Sequence, residues 1–450
     1  MKTLPMIRSL LLAAASAALL TSALTPSAFA ASAFGCKHLE DNPTLPAVEG
    51  KDGFFFRIFA DLRMQHPFTD EVTTMMGQLS DALKAHGTTL IYVPIPTKSV
   101  TLPTFLPEEA AMFGFDEAIA SRVYEDQIER LTAKNVIAVD LLSALKTTDG
   151  SDPPFFRSDF HWTSTGARKA AETIGGLIKS LPDYADVTPV NYETRAIGAE
   201  LAVSGMRREL QAYCSASLPP VISAAFETVE VASADATLDI FGDDPPAPAD
   251  GGASNSDEVA LVGTSFSDAL VPNFSGFLAE HTSLPVANFA LTGGNQFGAI
   301  TPYLTSKEFQ AERPRYLVWE NPIYNNLAQF GTGPLTELIA AARNDCAPIT
   351  NKPIVDAAGA LVADLSPDRI GAKQVMLADA GDTGSRDIVL KFTSKDGRTF
   401  EREVHRGDRV RSTGRYFIPL ESLDSLELQT VEIKFDRLSK DAAAVSLCNL

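Results

Sequence analysis

From Phe54 to Asp345 the chain alternates amphipathic stretches with short, wholly apolar ones. TDEVTTMMGQLSDALKAHG (69–87) spaces its apolar residues by three and four, which predicts a helix; TTLIYVPIP (88–96) follows as a continuous apolar run closed by prolines, the pattern of a buried strand. The same pair recurs in FDEAIASRVYEDQIERLTAKN (115–135) and VIAVDLL (136–142), and ARKAAETIGGLIKSL (167–181) predicts a third helix. EVALVG (258–263), PVANFAL (285–291) and RYLVWE (315–320) read as three more short strands, each followed by helix-compatible sequence. Strands alternating with helices predict an α/β fold with a mainly parallel sheet, and ligands in such sheets collect at the carboxyl ends of the strands. Residues 242–257, GDDPPAPADGGASNSD, interrupt this rhythm with Pro, Gly and Asp and read as a surface loop. After Cys346 the period changes to two: IVLKFTSKDGRTFEREVHRG (388–407), RYFIPLESL (415–423) and LQTVEIKFDRL (428–438) alternate apolar and polar residues between turn signals. That predicts a small all-β, sandwich-like domain over 346–450 behind an α/β domain over 31–345.

The first thirty residues stand apart. Lys2 and Arg8 precede the apolar run LLLAAASAALL, and Ala28-Phe29-Ala30 carries the small-x-small pattern of a cleavage site, so 1–30 reads as a signal peptide and the protein as periplasmic. The run is too short to span a membrane and no stretch of about 20 apolar residues follows it. The formal net charge is −19, which becomes −21 without the two leader cations and argues against a nucleic-acid partner. Four widely spaced cysteines give no CxxC or Cys-x-His cluster, which disfavours a thiolate zinc site. In an oxidising compartment they suggest two disulfides. Of three possible pairings, Cys36–Cys214 with Cys346–Cys448 is favoured because each pair brackets one structural unit.

Two segments carry the candidate chemistry. In LVGTSFSDAL (261–270) an apolar strand runs into Gly263-Thr264-Ser265 and then a helix-compatible stretch, a turn that exposes the Ser265 hydroxyl and aims backbone N–H groups at any oxyanion formed beside it. It is not the GxSxG elbow, and a helix N-cap serine fits the segment as well. SDFHWTSTGA (158–167) supplies what a serine nucleophile lacks: His161 as a base, and Asp159 two residues away to orient it. Thr163, Ser164 or Thr165 would cap the helix that follows. A metal site on Asp159 and His161 would need further ligands, and no HExxH or second His pair exists, so neither metal nor cofactor is expected. In ALTGGNQFG (290–298), Asn295 or the Gly294 N–H fits an oxyanion hole, or a plain Gly-rich turn. Both tryptophans, Trp162 and Trp319, lie beside these loops, with Tyr324 close behind the second; such rings suit sugar faces or a core equally. Between Arg386 and Arg415 lie nine cations against five acids. Among them Lys391, Lys395, Arg398, Arg402, Arg406, Arg409, Arg411 and Arg415 are candidates for holding an anionic polysaccharide, the alternative being a solvated strand face with scattered charge.

The order of these parts, signal peptide, VPIPT (93–97), DFHW (159–162), GTSFS (263–267) and a small β-domain, resembles the alginate O-acetyltransferase family of AlgX and, more loosely, AlgJ. The resemblance implies an SGNH-hydrolase-like domain followed by a carbohydrate-binding-module-like β-domain, and a triad of Asp159, His161 and Ser265 in an order permuted relative to ordinary SGNH enzymes. It implies an active-site aromatic at Tyr324 and the same cysteine pairing. The activity implied is transfer of acetyl groups to an exported anionic polymer such as alginate, with proteins of a periplasmic export complex as further partners; the acetyl donor stays open. An SGNH-type carbohydrate esterase and a non-catalytic polymer-binding scaffold are the alternatives.

Overall fold

The computed structural model describes residues 32–231 and 256–450, apart from Pro67, Arg369, Ala372, Asp424 and Ser425. The expected leader 1–30 and residues 242–255 of the expected loop lie outside them. Ser256 and Asp257, read above as the end of that loop, instead begin a strand.

Five parallel strands form the central sheet: β1 (Thr89–Ile95), β2 (Ile137–Ala138), β3 (Ser256–Val262), β4 (Val286–Asn288) and β5 (Pro314–Pro322), in the order β2-β1-β5-β3-β4. The middles of the longer strands, LIYV in β1, VALV in β3 and YLVW in β5, are continuously apolar because both faces are covered. On one face, Ile91, Val93, Leu261 and Val318 pack with α3 (Ser164–Ser180) and α5 (Phe274–Thr282). On the other, Leu90, Tyr92, Val262, Leu317 and Trp319 pack with α1 (Asp70–Lys84) and α6 (Gly333–Arg343). Each fully buried Leu, Ile or Val in such a layer contributes about 1.5–3 kcal/mol, so a charged residue at Leu261 or Leu317 would break the stack.

The helices start where their caps put them. Thr69 Oγ1 accepts from Val72 N (3.2 Å) at α1, and Asp116 accepts from Ile119 N (3.0 Å) at α2 (Glu117–Thr132). At α3 the cap is Thr163, whose Oγ1 accepts from Gly166 N (3.3 Å). Gly175 lets α3 approach α5: a Cβ there would meet the His281 backbone at 2.7 Å. Between α3 and β3 the chain makes an antiparallel ribbon, Tyr192–Leu201 with Ile222–Glu230, that is largely exposed.

Beyond Cys346 the residues form two antiparallel sheets. One runs Cys346–Pro348, Ala444–Asn449, Gln374–Asp379, Arg415–Pro419; the other runs Ile354–Val355, Leu361–Asp364, Leu428–Phe435, Asp387–Ser394, Thr399–His405. Met376, Ile388, Leu390, Phe392, Tyr416 and Ile433 fill the space between them. Cys36 is bonded to Cys214 and Cys346 to Cys448.

Candidate active site

β3 ends at Val262, and the chain turns through Gly263 and Thr264 into the short α4 (Ser265–Asp268). The turn sits at the carboxyl edge of the sheet, beside the central strand β5. One buried carboxylate shapes it. Glu320, near the end of β5, accepts from Thr264 N (2.7 Å), Thr264 Oγ1 (3.0 Å) and Ser267 Oγ (2.9 Å). The carboxylate lies so close that a Cβ on residue 263 would meet its Oε2 at 2.5 Å, hence glycine there. Burial pushes the Glu320 carboxyl up to about 7 against the pull of those donors. Nothing in the spacing of GTSFS pointed to Glu320. The available signal was an acid inside the apolar run YLVWEN, since a carboxylate is buried only when partnered.

The loop before α3 brings His161 to this turn. His161 Nε2 lies 2.7 Å from Ser265 Oγ, while Nδ1 lies 2.6 Å from Asp159 Oδ1. In the neutral tautomer with its proton on Nδ1, the imidazole donates to Asp159 and accepts from the serine hydroxyl. Asp159 Oδ1 also accepts from His161 N (2.8 Å), and Ser204 Oγ donates to Oδ2. Burial alone would raise the Asp159 carboxyl, but the bonds from His161 and Ser204 outweigh it and hold the group below the usual carboxylate range. Ser204 caps the helix Gly205–Gln211 between the two strands of the exposed ribbon, 45 residues from Asp159, too far for sequence spacing to join them.

Three further groups fix this loop. Lys98 follows the VPIPT segment and is wholly buried; its Nζ donates to the carbonyls of Phe55 (3.0 Å), Arg157 (2.7 Å) and Asp159 (2.9 Å). Burial pulls that ammonium down to about 7. Phe160 stacks on His161 at 4.0 Å between ring centroids. Arg57 lies between Phe160 (4.0 Å) and Tyr324 (4.6 Å), its guanidinium forked onto Asp61 at 3.0 and 3.1 Å. Tyr324 is thus half-buried at the edge of the site, its phenol pushed up to about 12 by burial.

Other expected site residues are placed differently. Trp162 and Trp319 do not line a sugar face: both are buried. The Trp162 indole donates to Phe266 O (2.8 Å), which requires it to face inward, and Trp319 packs edge-on against Tyr92 on the opposite side of the sheet. The Gly294 N–H is already donated to Leu291 O (3.0 Å), so it is not an oxyanion donor. Asn295 is exposed in a left-handed turn conformation (φ 52°), and the loop reaches the serine helix instead through Thr292 N and Asp268 Oδ2 (2.9 Å).

The basic cluster also divides. Lys391 faces Glu401 and Glu432 in register; Lys395 pairs with Glu427 (2.8 Å) and Arg398 with Asp396 (2.7 Å). Arg402 donates to Pro419 O. Arg406 meets Glu337 (2.5 Å), Arg411 meets Glu308 (2.9 Å), and the buried Arg415 lies 3.6 Å from Asp379. One open cationic face is therefore not what the fold builds, because acids from the neighbouring segments and from the α/β part offset most of the run.

Residues 47–323 match the family described as SGNH hydrolase-like domain, acetyltransferase AlgX. The alginate biosynthesis protein AlgX of Pseudomonas fluorescens is 30% identical over 307 residues, 67% of this chain and 60% of that protein. A probable alginate O-acetylase, AlgJ of Pseudomonas aeruginosa, is 28% identical over 324 residues, 66% of this chain and 78% of that one. The matched region thus spans about 60% of the length of the curated AlgX relatives. The solved structure of Pseudomonas aeruginosa AlgX superimposes with a TM-score of 0.72 at 21% identity over 92% of this chain and 96% of that one, a likeness of fold. The O-acetyltransferase domain of Pseudomonas putida AlgJ gives 0.51 at 22% identity over 66% and 98%.

Proposed function

This chain belongs to the AlgX family of SGNH hydrolase-like acetyltransferases, and from that premise we propose that it moves acetyl groups, through a Ser265 acetyl-enzyme, onto hydroxyls of an exported anionic polysaccharide such as alginate. The observation that carries the reading is the unbroken line from Ser265 Oγ through His161 to Asp159, at 2.7 and 2.6 Å.

Ser265 Oγ attacks the carbonyl of an acetyl ester while His161 Nε2 takes its proton, and Asp159 stabilises the imidazolium. The tetrahedral adduct collapses as His161 returns that proton to the departing oxygen, leaving acetyl on Ser265. A sugar hydroxyl then attacks, His161 takes its proton, and the proton passes back to Ser265 as the acetyl-sugar leaves. The N–H of Ser265 opens α4, where no intrahelical acceptor exists, and supplies an oxyanion donor. Glu320 and Ser204 are positioning residues: one holds the serine turn, the other the orienting carboxylate.

Residues 346–450 act as a polymer-binding domain behind the transferase domain, through those cations of the 386–415 run that acids do not offset. Two disulfides suit an oxidising compartment, which supports a periplasmic setting. Among the described residues no helix is long and apolar enough to cross a membrane.

The test is incubation of purified protein with an acetyl ester and mannuronate oligomers, with mass spectrometry of the products. Acetylated oligomers made by the wild type and not by Ser265→Ala are expected. Free acetate alone at every oligomer concentration would leave a secreted esterase in its place, and undiminished transfer by Ser265→Ala would sink the mechanism.

A further inference from the structure

A cleft of about 250 Å³ opens between the α/β part and the C-terminal sheets. Its floor comes from the loop after β4 and the helix behind it: Phe289 and Tyr303 lie against each other at 4.6 Å between ring centroids. Its other wall is cationic, made by Arg386, Arg409 and Arg411. Arg411 is offset by Glu308. The Arg386 guanidinium donates to the carbonyls of Gly407 (3.2 Å) and Val410 (2.5 Å), with no carboxylate within ion-pair distance among the described residues. Arg409, exposed and also without an ion pair among the described residues, comes near the 290–298 loop: a Cβ on Gly293 would meet its Nη1 at 3.3 Å. In a protein of net charge −19, two guanidinium groups without carboxylate partners beside an aromatic floor are a specific arrangement.

We propose that this cleft is a subsite for one carboxylated sugar ring of the polymer, with Phe289 under the ring's apolar face and Arg409 and Arg386 on its carboxylate. The size agrees, being just under the roughly 300 Å³ at which pockets for drug-sized ligands begin. A guanidinium fork suits a carboxylate, and an aromatic face suits the C–H face of a pyranose. Position agrees as well. The floor loop is tied to the candidate active site, with Leu291 N donating to Gly263 O (3.0 Å) and Thr292 N to Asp268, so a ring held here belongs to a chain passing the Ser265 turn. The ion pairs of Lys395 and Arg398, and the acids flanking Lys391 in register, move the polymer track off the outer sheet and into this cleft. The subsite rests on the polymer reading above, which supplies the acidic sugar.

Calorimetric titration of the full chain with mannuronate oligomers, and with neutral glucan oligomers of equal length, tests it. The wild type should bind the uronate oligomers, more weakly as salt rises, and the neutral ones poorly. Arg409→Glu should weaken uronate binding about tenfold or more, the scale of one charged hydrogen bond reversed. Its melting temperature should stay at the wild-type value, since Arg409 is exposed and no hydrogen bond or ion pair ties its side chain among the described residues. Phe289→Ala should weaken binding without changing the salt dependence. Unchanged affinity in Arg409→Glu overturns the subsite, as does equal binding of neutral oligomers, no uronate binding by the wild type, or a loss confined to Lys395→Ala and Arg398→Ala. The two proposals fail separately. Arg409-dependent binding in a protein that transfers no acetyl leaves the subsite standing alone, and transfer whose KM is indifferent to Arg409→Glu leaves the transferase reading alone.

Discussion

Replacing Glu320 by Gln should flatten the stability of the protein across the pH range where this carboxyl titrates. The side chain keeps its size and an acceptor oxygen for Thr264 N and Ser267 Oγ, loses its charge, and presents an NH2 to Thr264 Oγ1, whose hydroxyl can accept instead. In the folded protein burial raises the group from 4.5 to about 7, so between those values the native state holds a proton that the unfolded chain has released. Stability from this group is therefore fully present below 4.5 and is lost as the pH rises through 7. Integrating between pH 5 and pH 8 gives a loss on the order of 2–3 kcal/mol in the wild type that the Gln variant does not suffer. Urea unfolding at both pH values, disulfides intact, measures it: the wild type minus variant difference should move by that amount in the variant's favour at pH 8. Subtraction is needed because Lys98 acts with the opposite sign. Its folded value, about 7, lies below the unfolded 10.5, so it adds stability as the pH rises above 7, equally in both proteins. Parallel curves for the two proteins would refute the claim that Glu320 titrates where it is buried, and with it the account of how the serine turn is held.

Asp159→Asn should keep the fold and lower transfer by about 10⁴-fold, because the amide favours the wrong imidazole tautomer; single-turnover acetylation of Ser265 reads this. Ser204→Ala removes one donor from the same carboxylate and should cost about tenfold in kcat with KM little changed. The Asp159 carboxyl sits below its unfolded value of 3.8, so its contribution to stability is present above that pH and is lost as the pH falls through the lower folded value. Acid unfolding of Asp159→Asn should accordingly lack that component of the wild-type transition. Replacing Cys346 and Cys448 together by Ser opens a loop of 102 residues and should destabilise by about 4–5 kcal/mol, measured by chemical unfolding.

The sheet and its covering helices were legible because two periods survive in the sequence: continuous apolar runs such as LIYVPI, and threes and fours in α1 to α3. The exposed ribbon was not, since YETRAIGAEL is solvated on both faces and nothing enforces alternation. Asp159, His161 and Ser265 could be singled out because each sits beside a local turn or cap. Their supports could not, as Lys98, Ser204 and Glu320 bond to the site residues from 45 or more positions away. For the tryptophans the sequence left two readings open, and inward hydrogen bonding and packing decided for the core. Counting charges from Arg386 to Arg415 misled for a related reason: Glu308, Glu337, Asp379 and Glu427, which offset the run, all lie outside it.

The placement of the two tryptophans gives the molecule a built-in optical gauge. Trp319 lies in the layer with α1 and α6, and Trp162 in the layer with α3 and α5. The Trp162 indole bonds to Phe266 O, joining the residue after the base to the residue after the nucleophile. With Trp319 replaced by Phe, all remaining tryptophan emission comes from that one link. A red shift on warming or in denaturant would then time the parting of His161 from Ser265, independently of any substrate.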